Sequence, residues 1–367
     1  MHDSAVTPPG REPVTGYDVA RAAGVSQSTV SRALRGDARV VPETRELVLR
    51  VAREMGYVVN ASARSLITRR TSSVAIVSGD LRNPSYPVLI GTLQKQFHAH
   101  GYRVVLLSDH EEESGEFEHS LGGLRGGIVD GIVYISARTT SPVVADLLDA
   151  GMPVVVLNRD VDAELGGRVD RVTSDNVEGG RLAARHLHAI GARRPAMVAG
   201  PRDNPSLARR ERGFRSELAA LGLPLPRQRV RRGQVDPRTG LEGALSLLGD
   251  TAAGERPDAL FCQTDYIALG ALDAAGRLGL SVPDDVAVIG YNDLDWAGWS
   301  MIDLTTVRQP LVEMAEAAAS AMLARMANPD LPPVHRVFDV ELVERGSTRR
   351  GARRGGAGGA RGGVTHS

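Results

Sequence analysis

Between Thr15 and Tyr57 the apolar positions recur every three to four residues, in three short runs. "YDVARAA" is stopped by Gly24. Ser26 is placed to cap a second run that ends near Leu34, with Gly36 just beyond it as a stop. Pro42 suits the first turn of a third run, in which Val48, Val51, Ala52 and Met55 form one buried face. Thr15 with Asp18 fits a capping box at the start of the first. From Ser72 the pattern changes. "SVAIVSGD", "YRVVLLSD", "DGIVYIS", "PVVVLNRD", "RPAMVAG", "DALFCQTD" and "DVAVIGYND" are short apolar runs with polar ends. Helical stretches such as "VLIGTLQKQFHAHG", "EGGRLAARHLHAIG", "RRERGFRSELAALG" and "DYIALGALDAAGRLG" lie between most of them. Strand alternating with helix predicts parallel sheet covered on both faces, and the number of units predicts two doubly wound halves.

In such sheets ligands bind beyond the carboxyl ends of the strands. Here those ends read Asp80, Asn158, Gly200, Thr264-Asp265 and Asn292-Asp293, a mostly neutral polar rim suited to hydroxylated ligands.

Length adds that 367 residues are long for one domain. The formal net charge of zero says nothing about partners, but its distribution does. Residues 1–70 hold 11 Arg against 7 Asp and Glu, and residues 346–367 hold 5 Arg and no acid. A basic head on an acidic body hints at nucleic-acid contact. Lys95 is the only lysine, and the single cysteine, Cys262, excludes an internal disulfide and a Cys-based metal site. No apolar run reaches ~18 residues, so no membrane span is expected. "MHDSAVTPPGREP" lacks the apolar core of a secretory signal, so a cytoplasmic location is expected.

"GVSQSTVSRAL", Gly24 to Leu34, carries four hydroxyls, an amide and an Arg on one short helix. Hydroxyls are mediocre helix formers, so helix stability does not explain them. Two short helices around a Gly-containing turn match a helix-turn-helix, whose second helix enters the major groove. Small hydroxyls permit close approach to phosphates and bases. Gln27 can pair with adenine, and Arg32 with guanine or phosphate. Val30, Ala33 and Leu34 would hold the helix to its neighbours.

"VTGYDVARAAGVSQSTVSRALRG", then "TRELVLRVAREMGYVVNASARSL", then the alternating strands and helices closely resemble the lactose-repressor (LacI/GalR) family of bacterial transcription regulators. "VTSDNVEGGRLAARHL", "RRERGF", "VAVIGYND" and "LTTVRQP" carry the resemblance through the body, from about Val14 to Thr348. It implies a homodimer that reads a pseudo-palindromic double-stranded operator, with no enzymatic activity and no cofactor. By position in the motif, Gln27 and Ser28 are the base readers, backed by Arg32, while Tyr17, Ser26, Thr29 and Ser31 set the backbone. "NASARSL" matches the family's hinge helix, with Asn60, Ala63 and Leu66 toward DNA and Leu66 as a wedge in the central base step. In the body, Arg210 is the leading effector contact, joined by Tyr86, Asn158, Asn204, Thr264, Asp265 and Asn292. A sugar or sugar derivative is the expected effector class, a nucleoside or purine the second.

Some positions depart from the family's pattern. Gly16 stands where relatives place an apolar residue, so a loose start of the first helix is expected. Val41 replaces a capping Ser or Thr, and Val59 replaces a Pro before the hinge. Thr264 replaces an Asn, and Val235 an aromatic ring, so a pyranose needing a stacking ring would have to find it at Tyr86, Trp296 or Trp299. The expected organisation is a leader (1–13), a headpiece (14–58), a hinge and linker (59–70), a core (71–346) and a disordered Gly/Arg-rich tail (347–367). Within the core, one subdomain is read as about 71–172 plus 310–330, the other as about 173–305 plus 335–346.

Rival functions fit less well. A periplasmic-type binding protein would need an export signal and no headpiece. A nucleotide-using enzyme would need a phosphate loop after a strand, and "GGLRGG" precedes one. His98, His100, His186 and His188 are spaced i,i+2, on different sides of a helix, which argues against a metal site. Single-stranded RNA binding would need aromatic platforms that the recognition stretch lacks.

Overall fold

The computed structural model describes residues 14–34, 36–57, 70–79, 81–108, 128–137, 142–249 and 254–349. The chain divides into two compact units, Met1–Thr71 and Ser72–Ser367. The hinge residues Asn60, Ala63 and Leu66, the rim residue Asp80 and residues 350–367 of the expected tail lie outside the described residues. The expected tail start at 347 needs correction, because Ser347 and Thr348 are buried in the core, with Ser347 Oγ donating to the Val288 carbonyl at 2.6 Å.

In the first unit, helix α1 (Gly16–Ala23) opens on a complete capping box. Thr15 Oγ1 accepts from Asp18 N, and the Asp18 carboxylate accepts from Thr15 N at 3.0 Å. Gly16 therefore starts a firmly capped helix rather than a loose one. Gly24, at φ 67°, ends it. Helix α2 (Gln27–Leu34) begins behind Ser26, whose Oγ accepts from Thr29 N at 3.1 Å. Helix α3 (Pro42–Glu54) has Pro at its start, and Val41 supplies no side-chain cap. The three helices bury Val19, Ala20, Val30, Ala33, Val48 and Ala52 in one small core.

The second unit contains two six-stranded sheets. The first is built from β1 (Ser73–Ser78), β2 (Arg103–Ser108), β3 (Gly131–Tyr134), β4 (Val154–Leu157), β5 (Asp170–Ser174) and β11 (His335–Phe338). Its order is β11-β5-β4-β3-β1-β2, and its described pairings are parallel. The second is built from β6 (Pro195–Ala199), β7 (Val230–Arg232), β8 (Ala259–Cys262), β9 (Ala287–Asn292), β10 (Thr305–Arg308) and β12 (Glu341–Val343). Its order is β12-β10-β9-β8-β6-β7, with β12 alone antiparallel. The central strands are buried along their whole length, as strands covered by helices on both faces must be.

Helices α4 (Ser85–Ala99), α5 (Pro142–Asp149) and α6 (Ala163–Gly166) follow strands of the first sheet. Helices α7 (Asn176–Ala189), α8 (Pro205–Ala220), α9 (Pro237–Leu248) and α10 (Asp265–Arg277) serve the second. Helix α11 (Leu311–Ala327) follows β10 yet buries Met314, Ala318 and Met322 among residues of the first sheet and α4. The chain thus passes between the two lobes three times: after Ser174, after Arg308 and after Phe338.

The expected subdomain boundary needs correction at two points. The sequence pattern assigns residues 335–338 to the second lobe, but His335–Phe338 pairs with Arg171–Ser174 of the first. Only Glu341–Val343 of the expected 335–346 segment joins the second sheet. Likewise Thr173 and Ser174 complete β5 of the first lobe. Which sheet accepts a short, exposed strand is a matter of tertiary pairing, and periodicity carries no record of it.

Candidate functional site

The headpiece presents its polar groups on one helix. Val30 and Ala33 are buried, while Ser26, Gln27, Ser28 and Arg32 are exposed, Thr29 and Ser31 half-buried, and Tyr17 on α1 is 74% exposed. The burial alternates because α2 spends its apolar positions on the three-helix core. Ser26 Oγ also lies 2.8 Å from both Ser28 Oγ and Thr29 Oγ1, so the hydroxyls form a local cluster at the helix start. Asp37 is taken up by Arg39, whose hydrogen bonds hold its carboxyl well below the usual range. The exposed groups of α2 are donors and acceptors of the kind that meet base edges and phosphates.

A narrow cleft opens between the two lobes of the core. From the first lobe it is lined by Asn83, Ser85 and Tyr86 at the start of α4, and by Asn158 and Arg159 after β4. From the second lobe come Asn204, Ser206, Leu207 and Arg210 at the start of α8, with Val235, Thr264 and Asn292. The doubly wound topology accounts for this: each residue follows a strand's carboxyl end or opens the next helix. Asn204 caps α8 by accepting from Ser206 N at 3.1 Å, and Thr264 caps α10 by accepting from Ile267 N at 3.1 Å. Asn158 and Asn292 sit at φ 71° and 121°, left-handed conformations that cost strain in a non-glycine residue and gather at binding sites.

Arg210 is the centre of the polar network. It is 3% exposed. Its Nε donates to Asn176 Oδ1 at 2.8 Å, Nη1 to the Gln263 carbonyl at 2.7 Å and Nη2 to Gln309 Oε1 at 3.2 Å. Its guanidinium carbon lies 3.5 Å from the centre of the Tyr291 ring, a cation–π contact. Burial lowers the Arg210 pKa and raises that of Tyr291. Two glycines bring this helix so close to α7. A Cβ on Gly180 would meet the Arg210 carbonyl at 2.1 Å, and one on Gly213 would meet the Val177 carbonyl at 1.9 Å.

The lobes touch across the cleft. Ser206 Oγ donates to the Asn158 carbonyl at 2.9 Å, Gln309 Nε2 donates to Asn158 Oδ1 at 2.9 Å, and Arg209 Nη2 lies 2.6 Å from Asp160 Oδ2.

Of the seven core residues singled out from sequence, Tyr86, Asn158, Asn204, Arg210, Thr264 and Asn292 line this cleft. Asp265 does not. It is wholly buried behind Thr264, its carboxylate accepting from Thr306 Oγ1 at 2.5 Å and Leu294 N at 2.9 Å. An acceptor with two partners on its own lobe is structural, and burial raises its pKa to about 6. The stacking candidates also separate. Tyr86 lines the cleft, whereas Trp296 packs against the core and Trp299 is 59% exposed. Gly200 turns its N–H to Gln263 Oε1 at 3.0 Å and is absent from the lining. Sequence reasoning passed over Arg159, Ser206 and Gln309. Arg159 lies one residue beyond Asn158, and Gln309 follows β10, a strand outside the seven apolar runs, so the rule that found Asn158 would have found both had it been extended by one residue and one strand.

A three-helix head carrying a helix-turn-helix, followed by a two-lobed core with a polar cleft, defines a class: the ligand-responsive DNA-binding regulators. Residues 15–60 match the bacterial regulatory proteins of the lacI family, and residues 184–348 match the periplasmic binding protein-like domain. The transcriptional regulator CelR of Thermobifida fusca is 35% identical over 90% of this chain and 96% of its own. Catabolite control protein A of Priestia megaterium is 31% identical over 86% and 93%, and the repressor CytR of Escherichia coli K12 is 30% identical over 90% and 95%. Among solved structures, a CelR–cellobiose complex superposes with a TM-score of 0.69 at 32% identity, covering 91% of this chain and 99% of that one. The lac repressor dimer bound to operator and the anti-inducer ONPF shares the fold, with a TM-score of 0.81 at 24% identity over 92% and 99% of the two chains. The chain belongs to the LacI family of bacterial transcription regulators.

Proposed function

We propose that this protein is a dimeric repressor in the cytoplasm whose operator affinity is set by a sugar or sugar derivative held between the two core lobes. The observation that carries the reading is the pairing, in one chain, of an α2 whose exposed face is Gln27, Ser28 and Arg32 with a polar cleft organised around Arg210. Gln27 and Ser28 read base edges, Arg32 supports them at base or phosphate, and Tyr17, Ser26, Thr29 and Ser31 fix the backbone. Two half-sites then lie about one DNA turn apart, ~34 Å. The hinge segment 60–66 orders on DNA, and Leu66 wedges the central step. Seven residues are too few for a stable isolated helix, which makes that ordering dependent on DNA. Effector bound between the lobes changes their relative angle, and the change reaches the hinges as a coupling free energy between the two sites. The carbohydrate class is supported by the amide- and hydroxyl-rich lining and by the bound cellobiose of the CelR structure.

Selection of duplexes from a randomised library by the purified protein tests the reading. Enrichment of a pseudo-palindrome with a flexible central step is expected. Failure to enrich any sequence, with and without a metabolite pool, would sink it. Leu66→Ala should weaken binding to the selected operator and spare effector binding, and unchanged operator affinity removes the wedge.

A further inference from the structure

The charges around the cleft are unbalanced. Two guanidiniums line it, Arg159 and Arg210, and among the described lining residues there is no carboxylate. Both cations are held by neutral groups. Arg159 donates to the Ser136 carbonyl at 2.7 Å and to Tyr86 Oη at 2.6 Å, and Arg210 donates to two side-chain amides and a backbone carbonyl. Three described acids at the neighbouring strand ends are committed elsewhere. Asp160 lies 2.6 Å from both Arg171 and Arg209. Asp293 accepts from Arg308 and Arg345, each at 2.7 Å. Asp265 interacts with Arg210 through space but is turned to Thr306 and Leu294.

Two further features add to this. The N-termini of α4 and α8 open on the cleft, and neither helix has an acid in its first turn, so their positive dipole ends are uncompensated. Asn292, 5% exposed, donates its Nδ2 to Gln309 Oε1 at 2.8 Å, but its Oδ1 has no hydrogen-bond partner. A buried acceptor left unpaired calls for a donor from the ligand.

We infer, on the reading of the cleft as the effector site, that the effector is a polyhydroxylated anion: a sugar acid or sugar phosphate, with its anionic group at the guanidiniums and a hydroxyl donated to Asn292 Oδ1. A guanidinium binds a neutral diol adequately, but two of them with no carboxylate among the described lining residues, in a partly desolvated cleft, favour a carboxylate or phosphate much more.

Isothermal titration of the full-length protein against matched probes tests this: glucose, glucuronate and glucose 6-phosphate, and cellobiose with cellobionate. An anionic member of a set should bind at least about tenfold more tightly than its neutral partner. The preference should shrink on raising salt to about 0.5 M and in Arg159→Gln, while Arg159→Lys retains part of it. The carboxylate and phosphate arms separate the two sources of charge. A neutral sugar bound as tightly as its anionic partner, or no binding of any anionic probe, overturns the inference. Ser206→Trp, which fills the cleft, keeps the two levels apart. Anion binding that survives it fails the cleft reading itself, whereas neutral and anionic probes of equal affinity, both abolished by it, fail only the charge.

Discussion

Gln309 Nε2 donates to Asn158 Oδ1 at 2.9 Å, while Gln309 Oε1 accepts from Asn292 at 2.8 Å and from Arg210 at 3.2 Å. One amide thus ties a first-lobe strand end to the second-lobe polar network, from a position on one of the crossovers between them. Gln309→Leu keeps the volume but leaves the Asn292 amide and one Arg210 donor without their acceptor. A buried donor stripped of its partner costs about 1–3 kcal/mol. Urea unfolding of the core should show a loss of that order, and ligand affinity should fall with it. An unchanged midpoint would show that the network contributes nothing.

Gly213 lies one turn beyond Arg210 on α8 and sets how close that helix comes to α7. Gly213→Ala forces a methyl against the Val177 carbonyl, and overpacking of this kind costs about 1–3 kcal/mol. The helices must part, and Arg210 moves with α8. Thermal melts should therefore drop and ligand affinity weaken. Gly276→Ala on α10 is the control. Nothing lies within 4 Å of an added Cβ there, so it should gain up to about 1 kcal/mol from helix propensity.

Asp265 makes stability depend on pH in an unusual direction. Burial raises its pKa from 3.8 to about 6. Between these values the folded protein holds a proton that the unfolded chain has released. The contribution to stability is therefore full below about pH 4, falls as pH rises through 6 and is absent above, on the order of 3 kcal/mol in all. Asp265→Asn cannot titrate. Urea unfolding from pH 4 to 7 should show a smaller decline for the variant than for the parent, whatever the offset between them. Parallel curves would refute the assignment.

Helix α3 starts at Val41 without a side-chain cap. Val41→Ser supplies a hydroxyl to the orphan N–H groups of the first turn and should stabilise the headpiece by about 1 kcal/mol. Slower amide exchange confined to residues 42–54 is the expected reading. No change in protection would mean that Pro42 already suffices.

Much of this protein was legible as local pattern. The capping box at Thr15 and Asp18, the stop at Gly24, the cap at Ser26 and the helical face of Val48 and Ala52 each depend on a few adjacent residues. Short-range sterics and hydrogen bonds decide them, so the spacing alone was enough. Six of the seven quoted strands obey the same logic, since a strand buried on both faces must be apolar throughout; the seventh, β2, is a half-exposed edge strand. The residues at their carboxyl ends follow from topology, which is why Asn158, Thr264 and Asn292 could be placed at the cleft in advance.

The tertiary structure alone decided which groups face which. Asp265 adjoins Thr264 in the chain, yet one lines the cleft and the other is buried behind it, because α10 begins between them and turns the second side chain inward. His335–Phe338 and Glu341–Val343 are neighbours that join different sheets. Gln309 became central only when the crossover brought it within reach of Asn158, 151 residues away. Local sequence carries backbone preference and burial. The partners of a buried polar group come from distant segments, and only the packed chain brings them together.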